Sequence, residues 1–220
     1  MKNKLLTVLL GVAVFFFIIT VSIALPIYCR LFYYLQINAL NLPQKTGLSY
    51  DAIKFAFDDV MNYLTLPWCE FGTGALSYTQ EGKAHFADCK SLFNLNLIVL
   101  LISSAILITL LILAKKKKIE FCRPFGMGVS FISAISIFIV AGVLALIIAI
   151  DFENAFVVFH HIFFPGKDNW QFTQADEIIN ILPQEFFMSC AILIGSSIIL
   201  ISLGIIIFQL VKKHNTNKSK

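Results

Sequence analysis

The sequence predicts an all-α integral membrane protein: four transmembrane helices, with two extracytoplasmic loops forming a partly helical cap. Three observations predict it. The chain is 58% hydrophobic and only 14% charged, and its mean hydropathy of +0.83 is far above that of a water-soluble domain. Four runs, 5–25, 92–114, 127–150 and 186–211, contain no Asp, Glu, Lys, Arg or His, and each is long enough to cross roughly 30 Å of hydrocarbon. Lysine and arginine collect on one side of these runs. The 220 residues read as a single membrane domain.

That charge bias sets the expected orientation, because cytoplasmic segments near spans carry the positive excess. Lys2 and Lys4 precede the first run, Lys115 to Lys118 with Arg123 occupy the connector 115–126, and Lys212, Lys213, Lys218 and Lys220 lie in the tail 212–220. Both termini are therefore expected in the cytoplasm. The loops 26–91 and 151–185 fall outside and hold twelve of the thirteen acidic residues, leaving Glu120 inside. The net charge of +4 is then a topology signal, and no nucleic-acid partner is expected.

The first run follows a basic Met-Lys-Asn-Lys, but it is too long for a signal peptide and lacks a small-residue cleavage site, so it reads as a retained helix. Tyr28 before Cys29 is a poor fit to a lipoprotein processing site; the chain is not expected to be a lipoprotein itself. Cys29, Cys69, Cys89, Cys122 and Cys190 form no CxxC and no metal-ligand spacing. Cys69 and Cys89 share the first outer loop and are disulfide candidates, with free thiols as the alternative. In the third run Gly126, Ser130 and Ala134 recur every four residues, as do Ala141, Ala145 and Ala149, giving two stripes for close helix packing. The absence of ionisable residues from every run argues against a channel or transporter.

The first outer loop has helical patterning of its own. Ile53, Phe57, Val60 and Leu64 fall three or four apart with Asp51, Lys54, Asp58 and Asn62 opposite, which predicts an amphipathic helix over 49–63 capped by Ser49 and suited to a membrane surface. All six tyrosines lie in this loop, as in an interfacial belt. In the second outer loop, DEIINILPQEFF from Asp176 to Phe187 predicts a short helix ending near Pro183.

Two segments carry the chemistry. FHHIFFPGKDNW, Phe159 to Trp170, sets His160 and His161 among aromatics beside a Pro-Gly turn. Histidine is the side chain most used for proton transfer near neutral pH. Consecutive residues point in different directions, so both histidines are not expected to face one pocket. In QEGKAHFADCK, Gln80 to Lys90, the second span is expected to start early, placing Glu81, His85 and Asp88 on one helical face. A carboxylate beside a histidine fixes its tautomer and raises its basicity. A solvated helix with a chance ion pair is the alternative.

These segments resemble those of the bacterial four-span lipoprotein intramolecular transacylase family (Lit), whose members carry a similar FHxxFFPG, tryptophan and IxxLPxxFF arrangement, with a Glu, a His and an Asp before the second span. The resemblance covers most of the chain, and His85 and His160 fall on the family's histidine positions. It implies an enzyme of the cell membrane of Gram-positive bacteria with its active site at the outer leaflet. Its substrates would be diacylated bacterial lipoproteins, held among membrane lipids. The reaction would move the sn-2 acyl chain of the diacylglyceryl group to the α-amine of the N-terminal cysteine, giving a lyso-form lipoprotein, with no cofactor. His160 is then expected to act as base and His85, oriented by Glu81 or Asp88, as acid and oxyanion donor, or the reverse, with His161 and Trp170 in support. Two rival readings are a metal-dependent membrane hydrolase, with His85, His160 and one of Glu81, Asp88 or Asp168 around zinc, and a non-enzymatic accessory membrane protein. A covalent acyl-enzyme through Ser77, Cys69 or Cys89 lacks a GxSxG elbow or an activated cysteine.

Overall fold

The computed structural model describes residues 2–218; Lys220, counted above in the basic tail, lies outside them. Eight α-helices follow in order among these residues: α1 (Lys4–Tyr28), α2 (Arg30–Ala39), α3 (Leu42–Thr46), α4 (Tyr50–Thr65), α5 (Gln80–Lys115), α6 (Val129–Ile150), α7 (Phe152–Phe163) and α8 (Gln184–Lys218). Helices α1, α5, α6 and α8 are long and apolar enough to cross a membrane. In α1 the helix continues past Pro26 to Tyr28, since a proline near a helix end removes one amide donor without forbidding helical φ. A two-residue parallel bridge joins Lys2–Asn3 to Glu120–Phe121.

The chain divides into two compact units. Within the described residues the first comprises 2–23, 97–146 and 194–218. Its apolar centre is Leu10, Val14, Ile18, Leu110, Ile137, Ala141 and Ile198. Helices α1 and α6 meet at Gly11, where the Ser133 hydroxyl donates to the Gly11 carbonyl at 2.8 Å. A Cβ on Gly11 would stand 2.8 Å from a Val129 methyl, so any larger residue would force that side chain to shift, and glycine suits this approach. The packing stripe on α6 is therefore Ser133, Ala134, Ile137 and Ala141. The two stripes read from the sequence are corrected: Gly126 lies in a 3₁₀ turn before α6, and Ala145 and Ala149 are exposed.

The second unit comprises Ala24–Asn96 and Ile147–Leu193. Here α2, α3, α4 and a 3₁₀ turn at Glu177–Ile181 pack together. Tyr33, 1% exposed, is their keystone. Its ring stacks on Phe57 at 3.6 Å between centroids and meets Phe186 edge-on at 5.0 Å, while its hydroxyl donates to the Ile181 carbonyl at 2.6 Å. Ser49 caps α4 as the sequence predicts, accepting from the Ala52 amide. The expected use of α4's apolar stripe against a membrane surface is corrected: Ile53, Ala56, Phe57, Val60, Met61 and Leu64 are all buried inside the protein, while Phe55 stays exposed. The segment expected as a short helix at Asp176 is a 3₁₀ turn, followed by α8 from Gln184. All five cysteines are free thiols, so the Cys69–Cys89 disulfide is not formed.

Candidate active site

Helix α5 begins twelve residues before its apolar run, and this amphiphilic extension carries His85. The start of α5 is clasped by Asp176, a carboxylate only 2% exposed. One of its oxygens accepts from the amide and hydroxyl of Thr79 at 2.7 and 2.8 Å, the other from the amide and hydroxyl of Thr173 at 3.1 and 3.0 Å. Burial alone would raise this carboxyl, but those four donors hold it below the ordinary carboxylate value. Gly82 is needed beneath it, because a Cβ there would run into the Asp176 carboxylate and the Phe172 ring.

Helix α7 starts at an Asp151 cap, which accepts from the Asn154 amide, and carries His160 in its last turn. The chain then turns at Pro165 and Gly166, where φ is +72°, a conformation open to glycine and strained for other residues. The turn brings Lys167 to Trp170 back over α7. Trp170 donates from its indole nitrogen to the Lys167 carbonyl at 3.1 Å and stacks on the His160 ring at 4.6 Å and 27°.

His85 and His160 come together. Each is 6% exposed, and their ring centroids are 5.7 Å apart. Phe164 faces both, at 4.9 Å from His85 and 5.7 Å from His160; Phe172 closes on His85 and Phe156 on His160. Nδ1 of His160 lies 2.7 Å from the Phe156 carbonyl oxygen. A carbonyl only accepts, so the proton sits on Nδ1 and Nε2 carries the lone pair. Nε2 of His85 lies 3.5 Å from the Cys89 sulfur, and Nδ1 is buried without a hydrogen-bond partner among the described residues. Burial, reinforced by His160, pushes His85 down to about 4 against an opposing pull from Asp88. Burial also lowers His160, opposed by its bond to Phe156. Both rings are neutral at neutral pH.

The other sequence-predicted residues lie at varying distance from this pair. Asp88 sits one turn beyond His85 but commits its oxygens to Lys167 at 2.6 Å and Asn169 at 3.1 Å. It acts on His85 as a nearby charge. Glu81 and Asp168 are exposed, and neither forms an ion pair among the described residues. His161 is exposed and touches the edge of Trp170, because consecutive helical side chains diverge. Ser77 is bound to the Ala175 carbonyl and the Glu177 carboxylate. Among the described residues no group of three or more His, Cys, Asp or Glu is placed to hold a metal ion. Sequence reasoning missed Lys167, Asn169 and Asp176; it named Cys89 only as a disulfide partner or nucleophile, although its position four residues after His85 marks a shared helical face.

Four apolar spans and a buried, aromatic-walled pair of histidines define a multi-pass membrane protein with a candidate site for proton transfer. Comparison narrows the class. The family model for lipoprotein intramolecular transacylase Lit matches residues 8–187, and the chain belongs to that family. A solved structure of the membrane integral lipoprotein intramolecular transacylase Lit from Bacillus cereus is similar along 98% of this chain and 97% of its own, at 27% identity and a TM-score of 0.85. Two variants of that protein, each with one histidine replaced, are also similar. The arginine variant has 27% identity, 98% and 94% coverage and a TM-score of 0.77; the alanine variant has 28%, 96% and 94%, and 0.75. No curated protein sequence matches the chain.

Proposed function

We propose that this integral membrane acyltransferase acts on diacylated lipoproteins, moving the sn-2 acyl chain from the glyceryl oxygen to the α-amine of the N-terminal cysteine of the same molecule. The observation that carries the reading is the pair of buried neutral imidazoles, 5.7 Å apart, one of them with its lone pair fixed at Nε2 by the Phe156 carbonyl.

An α-amine has a pKa of about 8 and is mostly protonated at neutral pH. His160 Nε2 takes its proton, and the freed nitrogen attacks the ester carbonyl carbon. A bond forms between nitrogen and carbon, the carbonyl oxygen becomes an oxyanion, and an N–H of His85 donates to it. The intermediate collapses by breaking the carbon–oxygen bond to glycerol: the protonated His160 gives its proton to the departing glyceryl oxygen and, neutral again, takes the extra proton left on the nitrogen and releases it to solvent. Ester and amine become amide and alcohol, with no other reactant. Holding both groups in one molecule contributes on the order of 7 to 11 kcal/mol through orientation, an oxyanion donor about 3 kcal/mol, and the base roughly 10² to 10⁴-fold in rate. The distribution of Lys and Arg supports a topology with both termini cytoplasmic and the histidines at the outer leaflet, among the lipids that deliver the substrate.

The test is mass spectrometry of a lipoprotein's N-terminal peptide from cells that otherwise leave its α-amine free. Cells making this protein are expected to yield N-acyl, lyso-glyceryl cysteine, and cells making its His160→Ala variant the unchanged diacylglyceryl form. An unchanged form in both, with the protein folded in the membrane, contradicts the reading.

A further inference from the structure

His160 and His85 present opposite faces. The Nδ1 proton of His160 is committed to the Phe156 carbonyl at 2.7 Å, so that ring offers a lone pair. The contacts of His85 are reversed: its Nε2 is 3.5 Å from the sulfur of Cys89, one helical turn further along α5, while its Nδ1 is buried with no partner among the described residues. We propose that Cys89 is a positioning residue of the transfer site: its S–H donates to Nε2 of His85 and keeps the imidazole proton on Nδ1, so that Nδ1–H is the donor to the developing oxyanion. The inference rests on the transacylase reading and specifies how one of its two histidines is set.

Two chemical facts decide the direction of the Cys89–His85 contact. Burial pushes the Cys89 thiol up to about 12, so sulfur carries its hydrogen at neutral pH. An imidazole lone pair is a good acceptor and a thiol sulfur a weak one, which favours S–H to nitrogen over N–H to sulfur. The opposite tautomer would leave a bare lone pair at Nδ1, which repels an ester oxygen. A buried N–H without a partner is unfavourable in a resting protein and rare unless a ligand completes it. The oxyanion is that partner. Cys89 is too strongly held as the thiol to serve as a nucleophile, which separates this role from a covalent one.

The chain has four histidines, so ¹⁵N-histidine spectra of the full-length protein in nanodiscs at pH 8 can be assigned by single substitutions. The proposal expects Nδ1–H at His85 in the wild type and in Cys89→Ser, and a shift towards Nε2–H in Cys89→Ala. Activity on a synthetic diacylated lipopeptide should fall roughly a hundredfold in Cys89→Ala, the low end of the range for losing an oxyanion donor, and Cys89→Ser should recover it. Nε2–H at His85 in the wild type overturns the proposal, as does a Cys89→Ala variant with tautomer and activity unchanged. Should Cys89→Ala fail to fold, the wild-type and Cys89→Ser spectra decide. A wild-type protein that makes no N-acyl product counts against the transfer chemistry itself, while the tautomer, read without substrate, still shows whether Cys89 sets the proton.

Discussion

The indole of Trp170 stacks on the imidazole of His160 at 4.6 Å and 27°. With Nδ1 tied to the Phe156 carbonyl, the stacking fixes the remaining freedom of the ring, its tilt, and so aims Nε2. Trp170→Ala should lower turnover of a diacylated lipopeptide roughly ten- to a hundredfold, the scale of a misaimed catalytic group, while Trp170→Phe keeps most of it. Stability should fall as well, by about 1 kcal/mol for the aromatic pair and further for the indole area it keeps from water. Equal activity in Trp170→Ala and the wild type would remove the indole from the site.

Asp176 joins Thr79 to Thr173 and so holds the start of α5 against the loop bearing Phe172. Asp176→Asn should lower stability by about 2 to 3 kcal/mol, since an amide nitrogen would face donors that a carboxylate oxygen now satisfies. Gly82→Ala should do the same by displacing that carboxylate. The thermal unfolding midpoint in detergent checks both. A double variant no less stable than either single one is the expected sign that the two act on one clasp.

Acidification should loosen the protein through His85. Its pKa is about 4 when folded, against about 6.5 when unfolded, so between these values the unfolded chain binds more protons and stability falls as pH falls. The contribution is fully present above about pH 6.5 and lost on passing down to 4, on the order of 3 kcal/mol. The unfolding midpoint of the wild type should therefore drop more steeply across this window than that of His85→Gln. Parallel curves would mean that His85 is not buried in its neutral form.

Tyr33→Phe removes the hydroxyl that donates to the Ile181 carbonyl. Leaving that buried carbonyl unpaired should cost about 1 to 2 kcal/mol, with turnover below the unfolding temperature little changed, because Tyr33 does not touch the histidines. A large fall in turnover without a fall in stability would contradict this division of labour.

The four spans were legible because lipid demands long apolar runs, and α4 because Ser49 and the Ile53, Phe57, Val60, Leu64 stripe repeat at helical spacing. What that stripe packs against was not legible. Tyr33 and Ile181 are 148 residues apart, and no local period announces the meeting. Helix α3, five residues long, is too short to show one. The histidine segments were readable by their composition, yet Asp88 could be paired only with what lay near it in sequence. Its partners Lys167 and Asn169 arrive through the turn at Gly166. The role of Asp176 was not legible because its four donors come from Thr79 and Thr173, residues with no motif of their own.

The most direct measurement is a crossover experiment with the purified protein. Diacylated lipopeptides labelled in both the sn-2 chain and the peptide are mixed with unlabelled ones, and the N-terminal peptides are read by mass spectrometry. The account predicts that the wild type moves each sn-2 chain to the amine of its own peptide, with no mixed products, and that His85→Ala and His160→Ala each lose the activity by a hundredfold or more, within the range of about 10² to 10⁴ for acid–base groups. Full turnover in both variants, or acyl chains exchanged between peptides, would contradict it.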